Sequence, residues 1–274
     1  MDRYLAAVVQ MRSGPDRAAN LARAEHLIGV AATRGAALVV LPEVATWRGP
    51  RDDERAHFEP VPGPTTDAMG ALAARHRIHL CLGSLLERID DGPRAHNTTC
   101  LLGPDGALLA SYRKIHLFDV DLPGRVVVRE SATRVPGDAV VTATTPLGTL
   151  GLSVCYDLRF PELYRRQATA GAELLLVPSA FTFPTGSAHW EVLCRARAIE
   201  NQSYLLAPNQ TGPSPHGFAD YGNSMIVDPW GAVVGRAPEG EGVVLAEIDR
   251  DYLRRVRAEL PSLRNVRSFR PPPP

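Results

Sequence analysis

Apolar positions along this chain switch repeatedly between a helical and an extended period. From Asp16 to Arg34, Leu21, Ala24, Ile28 and Ala31 recur at steps of three and four, which predicts one face of an amphipathic helix. Ala36-Ala-Leu-Val-Val-Leu41 follows as a continuous apolar run closed by Pro42, the signature of a strand buried on both faces. The alternation repeats, with a second helix over about 65–76 and a second strand over 79–85, and Met1 to Gln10 reads as the first strand. In the middle, His96 to Leu102, the turn Gly103-Pro-Asp-Gly106 and Ala107 to Arg113 form a predicted hairpin. Residues 119–138 show no clear period and carry several Pro and Gly, so they are expected to form a long surface loop and a wall of the functional site.

The second half reads like the first: a strand to Cys155, a helix over 161–170, a strand over 172–177, a helix over 187–200, and strands near 203–207, 224–227 and 243–248. Gly231 marks a further hairpin turn. Strands alternating with helices, with hairpins inserted, indicate mixed sheets covered by helices. The pattern does not choose between one central sheet and two stacked sheets. No linker interrupts it, so a single domain over 1–264 is expected, followed by a Pro-rich tail at 265–274.

With 274 residues the chain is long enough to bury a core without staples. Thirty basic and thirty acidic residues cancel, so no long-range field selects nucleic acid or an anionic membrane, and a small molecule is the expected partner. The apolar start is too short for a secretory signal, and no window approaches the roughly 18–20 apolar residues of a membrane span, which points to a cytoplasmic protein. Cys81, Cys100, Cys155 and Cys194 show no Cys-x-x-Cys spacing, which argues for reduced thiols and against a zinc knuckle. His76 and His79 are three apart, but the chain changes from helix to strand between them, so no metal site is expected. Gly151-Leu-Ser153-Val-Cys155 imitates part of a nucleophile elbow, yet Ser153 falls within the strand.

Three reactive side chains occupy equivalent places in separate units. Glu43 lies two residues beyond the strand ending at Leu41, Lys114 follows the strand ending at Arg113, and Cys155 closes its own strand just before a predicted helix start at Tyr156. Ends of neighbouring strands converge, and a helix amino terminus there is expected to favour a thiolate. The chemistry fits hydrolysis of a carbon–nitrogen bond: Cys155 as nucleophile, Glu43 as its base and later the base for water, and Lys114 with the Tyr156 N–H as donors to a tetrahedral intermediate.

Leu41-Pro-Glu43, Tyr112-Arg-Lys-Ile-His-Leu-Phe-Asp119 and Val154-Cys-Tyr-Asp-Leu-Arg-Phe-Pro-Glu-Leu163 resemble, in order, the three signature blocks of the nitrilase (carbon–nitrogen hydrolase) superfamily. The resemblance covers about residues 4–260. It implies a four-layer αββα sandwich, a homodimer, no metal or organic cofactor, and a Glu43–Lys114–Cys155 triad acting through a thioester, with Glu130 as a second glutamate beside the lysine. Residues 114–124, 178–181 with 185–191, and 195–201 are similar to the branch of ω-amidases and deaminated glutathione amidases, and 155–163, 190–193 and 221–231 lean toward the deaminated glutathione type. The implied activity is hydrolysis of the terminal amide of a small carboxylic acid to the acid and ammonia. A nitrilase or an N-carbamoyl hydrolase would use the same triad, and a non-catalytic binding module would have no need of it.

The candidate substrate-binding residues are Tyr156, Arg159, Phe118, Phe181, Thr182 and His189. Arg159 fits either a substrate carboxylate or a structural ion pair. Asp157 reads as a helix cap, and Trp190 fits pocket or helix core.

Overall fold

A computed structural model describes residues 1–90, 92–124 and 126–267. Two mixed sheets carry the expected alternation. The first runs in the order Gly242–Asp249, Arg3–Gln10, Ala36–Val40, His79–Cys81, Ala95–Leu102, with Leu85–Arg88 and Leu108–Arg113 also paired to Ala95–Leu102. The second runs Val233–Arg236, Met225–Val227, Tyr204–Ala207, Leu174–Leu176, Gly148–Leu152, Thr142–Thr145. In each, three parallel strands form the centre and antiparallel strands flank them.

Side chains alternate across a strand, so one strand serves two cores. Tyr4, Ala6 and Val8 point into a core shared with Leu150, Leu152 and Leu205 of the second sheet. Ala7 and Val9 point the other way, onto helices α1 (Arg17–Thr33) and α2 (Pro64–His76), through Ala24, Ile28, Met69 and Ala73. Helices α3 (Pro161–Thr169) and α4 (Phe183–Asn201) pack on the second sheet through Leu163, Tyr164, Trp190 and Cys194. Sheet therefore lies on sheet with helices outside, the αββα sandwich, and the duplicated β-α-β-α-β pattern is present in both halves. Helix α5 (Arg250–Glu259) follows, capped by Asp249, whose side chain accepts from the Tyr252 N–H at 2.9 Å.

Several boundaries depart from the sequence reading for identifiable reasons. The strand expected over 79–85 is split: His79–Cys81 and Leu85–Arg88 lie along the same edge of Ala95–Leu102, with Gly83 between them at φ +81°. A Cβ on Gly83 would sit 2.0 Å from the Pro42 carbonyl oxygen, so the break admits the backbone leading to Glu43. The expected loop over 119–138 begins as a hairpin, Asp119–Leu122 with Val126–Arg129, followed by a 3-10 turn at Glu130–Ala132. Its strands are short and charged, which hid their alternation. Helix α4 starts at Phe183, four residues before the expected start, because Pro184 sets its first turn without contributing to an apolar face. Helix α5 was not read at all; only Leu253 and Val256 of its residues are buried. Residues 265–267 of the expected tail are described without regular structure, and 268–274 lie outside the described residues. No helix among the described residues is long and apolar enough to cross a membrane.

Candidate active site

Glu43, Lys114 and Cys155 meet at the base of one cavity of about 530 Å³. They are almost closed off from solvent, with exposures of 6%, 2% and 8%. Hydrogen bonds to the backbone fix all three, Glu43 from both sheets, Lys114 from the first and Cys155 from the second. The Glu43 carbonyl accepts from Gln210 Nε2 at 2.8 Å, and the next residue, Val44, sits at φ +50° with its N–H on Ser84 Oγ at 2.9 Å. The Lys114 N–H donates to the Asn97 carbonyl at 2.8 Å, one strand away. The Cys155 N–H donates to the Pro178 carbonyl at 2.8 Å, beyond the end of Leu174–Leu176.

Lys114 Nζ reaches Glu43 Oε1 at 3.0 Å and both oxygens of Glu130, at 3.1 and 2.9 Å. Glu130 also accepts from the Phe118 N–H at 2.6 Å. Asn97 Nδ2, unremarked in the sequence, bridges the two carboxylates at 2.8 Å to Glu43 and 3.3 Å to Glu130. The only available signal was a polar residue inside an otherwise buried strand. Burial works against the Lys114 ammonium, but Glu130, Glu43 and Cys155 outweigh it and raise its pKa well above the ordinary value. Burial also opposes ionisation of Glu130, yet Lys114 and the Phe118 N–H hold its carboxyl below the usual range.

Cys155 corrects the sequence reading in two respects. Its strand ends at Leu152, and the residue lies in a 3-10 turn, Cys155–Arg159, at φ +48°; α3 begins only at Pro161. A left-handed non-glycine residue at a strand end is a strained elbow of the kind that collects at reactive sites. The thiol is also pushed well up, by burial first and then by the Glu43 carboxylate, with Lys114 and the Ala180 N–H opposing. Cys155 thus rests as a thiol hydrogen-bonded to Glu43, and the expected thiolate stabilisation by a helix end is overridden.

Asp157 does act as a cap, accepting from the Val154 N–H at 2.9 Å, and it also ties the elbow to the lysine segment. Tyr112 Oη donates to it at 2.8 Å, as does the His116 N–H at 3.0 Å.

Of the candidate substrate-binding residues, Phe118 and Thr182 line the cavity. Tyr156, Arg159, Phe181 and His189 do not; they form an adjoining cluster. The Arg159 guanidinium lies 5.7 Å from the Tyr156 ring centre and 5.4 Å from that of Phe181, and 3.2 Å from His189 Nδ1. Trp190 is fully buried core. The walls instead include residues the sequence did not single out: Trp47, Arg48, Arg51, Glu54, Arg134, His216 and Phe218. Arg48 pairs with Asp220 through both guanidinium arms, and Arg134 pairs with Glu54 at 2.8 Å on each arm. Among the described residues no group of three or more His, Cys, Asp or Glu side chains is placed to hold a metal ion.

Comparison with known proteins identifies the family. Residues 5–258 match the carbon-nitrogen hydrolase family model. The chain is 44% identical to the human deaminated glutathione amidase, covering 96% of this chain and 82% of that one. It is 39% identical to omega-amidase NIT2 of Danio rerio, covering 98% and 96%. The solved structure of the C. elegans NitFhit protein superposes with a TM-score of 0.90 at 39% identity; the match covers 97% of this chain and 66% of that longer one. The chain belongs to the carbon–nitrogen hydrolase family, as an enzyme that hydrolyses amides.

Proposed function

We propose that the enzyme cleaves the amide of a small carboxylic acid of the deaminated glutathione type, through a thioester on Cys155. The reading rests on one observation above the others: the Cys155 thiol, the Glu43 carboxylate and the Lys114 ammonium share the buried base of a single cavity. In the first half-reaction Glu43 takes the thiol proton as sulfur attacks the carbonyl carbon, and the resulting oxyanion is stabilised by Lys114 and the Tyr156 N–H. Protonated Glu43 then delivers its proton to the departing nitrogen as the C–N bond breaks. In the second, Glu43 deprotonates a water that attacks the thioester, and the thiol is regenerated with release of the acid. Glu130 and Asn97 hold Lys114 and Glu43 in register throughout.

The leaving group depends on the substrate. Glutathione without its amino group contains only secondary amides, so its nitrogen leaves as an amine; ammonia is the product only from a primary ω-amide. The higher identity to deaminated glutathione amidase than to omega-amidase favours the former. The test is kcat/KM for deaminated glutathione against 2-oxoglutaramate, following amine and ammonia together. A larger value for deaminated glutathione is expected, the reverse identifies an ω-amidase, and turnover that survives Cys155→Ala sinks the mechanism.

A homodimer fits the surface of α4. Val192 and Ile199, two turns apart on one helical face, are 68% and 47% exposed, and Trp230, which precedes the Gly231 that approaches Ile199, is 58% exposed. Val192→Arg is expected to yield a monomer in sedimentation; an unchanged mass refutes this interface. Four unpaired cysteines suit the reducing cytoplasm.

A further inference from the structure

The cavity is electrically lopsided. At its base two carboxylates, Glu43 and Glu130, face one ammonium, Lys114, a surplus of one negative charge. On its walls, Arg48 and Arg134 are each neutralised by a two-armed carboxylate partner. Arg51, which also lines the cavity, makes no ion pair and no side-chain hydrogen bond among the described residues and remains exposed at the start of the 3-10 helix Arg51–His57. Asp52 and Asp53 follow it in sequence but do not line the cavity.

From this polarity we infer that Arg51 is the binding site for a carboxylate of the substrate remote from the scissile amide, and that it sets the direction in which substrate enters. The inference rests on the proposed amidase reading. A carboxylate directed at the base would meet the surplus negative charge; one left at Arg51 gains a planar, two-pronged donor with no competing partner. Arg48 and Arg134 do not serve, because a bound anion would have to displace Asp220 or Glu54 from a buried pair. The polarity also acts on the product. Hydrolysis creates a new carboxylate beside Glu43 and Glu130, which favours its departure from the base.

The experiment compares one amide acid with its methyl ester at the remote carboxylate, using wild type, Arg51→Ala and Arg51→Lys, and reports the ratio of kcat/KM for acid over ester. That ratio should fall about 10- to 100-fold in Arg51→Ala, the range expected for one charge-assisted contact, mainly through KM of the acid, and recover in part in Arg51→Lys. An unchanged ratio in Arg51→Ala, or equal losses on acid and ester, overturns the inference while leaving the amidase reading intact. Absence of turnover by the wild type on both substrates refutes the amidase reading itself.

Discussion

Replacing Glu130 by Gln tests whether Lys114 must be held between two carboxylates. The ammonium is 2% exposed and spends its donors on Glu43 at 3.0 Å and on Glu130 at 2.9 and 3.1 Å. At about 3 Å and an effective dielectric of about 20, the lost Coulomb attraction is on the order of 5 kcal/mol before desolvation is counted. Glutamine no longer has to be stripped of water as an ion, which returns part of this, and Glu43 keeps the lysine charged. The amide, however, has one acceptor oxygen where the carboxylate used both, against Lys114, Asn97 and the Phe118 N–H. Its NH2 must face another donor, at about 1–3 kcal/mol. The combined loss of intermediate stabilisation is about 3–4 kcal/mol, or about 10²- to 10³-fold in kcat/KM. Amine release measures this, and stoichiometric alkylation of Cys155 verifies that the site remains assembled. A wild-type kcat/KM in a variant that folds and alkylates normally refutes the role given to Glu130.

In Glu43→Gln, removing the charge that helps burial keep Cys155 protonated should move the midpoint of its pH–alkylation profile downward while amide turnover is lost, and a midpoint that stays or rises contradicts the assignment. Gly83→Ala forces a left-handed alanine, about 1–2 kcal/mol by itself, and a clash with the Pro42 carbonyl, so both Tm and kcat/KM should fall; a wild-type Tm excludes the close approach. The Glu130 carboxyl, lowered on folding from 4.5, contributes stability that is complete above that value and is lost as pH falls through the lowered one. Urea midpoints measured across this acid range should therefore decline more steeply in wild type than in Glu130→Gln, and parallel slopes would remove Glu130 from the acid response.

The three residues of the proposed triad were legible because each sits where a local pattern ends. Pro42-Glu43 and the elbow at Cys155 follow mostly apolar runs whose strands are buried, and Lys114 follows the half-exposed strand Leu108–Arg113, so each is visible as a break in its own pattern. The cavity walls were not, because their positions depend on partners far apart in sequence. Arg48 is held by Asp220, 172 residues away, and Arg134 by Glu54, 80 away; neither pairing leaves a periodic trace. Arg159 shows the same blindness from the other side. Four residues after Cys155, it fitted either a substrate carboxylate or a structural ion pair, and one turn of 3-10 helix directs it instead among Tyr156, Phe181 and His189.

The resting state of Cys155 follows from the imbalance at the cavity base. A helix end favours a thiolate only where its N–H groups are the dominant charge nearby. Here the thiol is buried and a full carboxylate shares the site, and both push the thiol up, so in the proposed mechanism the proton leaves sulfur only when Glu43 accepts it during attack. Lys114 then has two duties that require opposite strengths: it must offset the carboxylates enough to permit proton transfer, yet remain available to the oxyanion. Glu43 takes one contact and Glu130 two, so in the proposed mechanism the oxyanion reaches the ammonium by replacing one of these contacts, and Glu130, which accepts through both oxygens, can give one up without releasing the lysine.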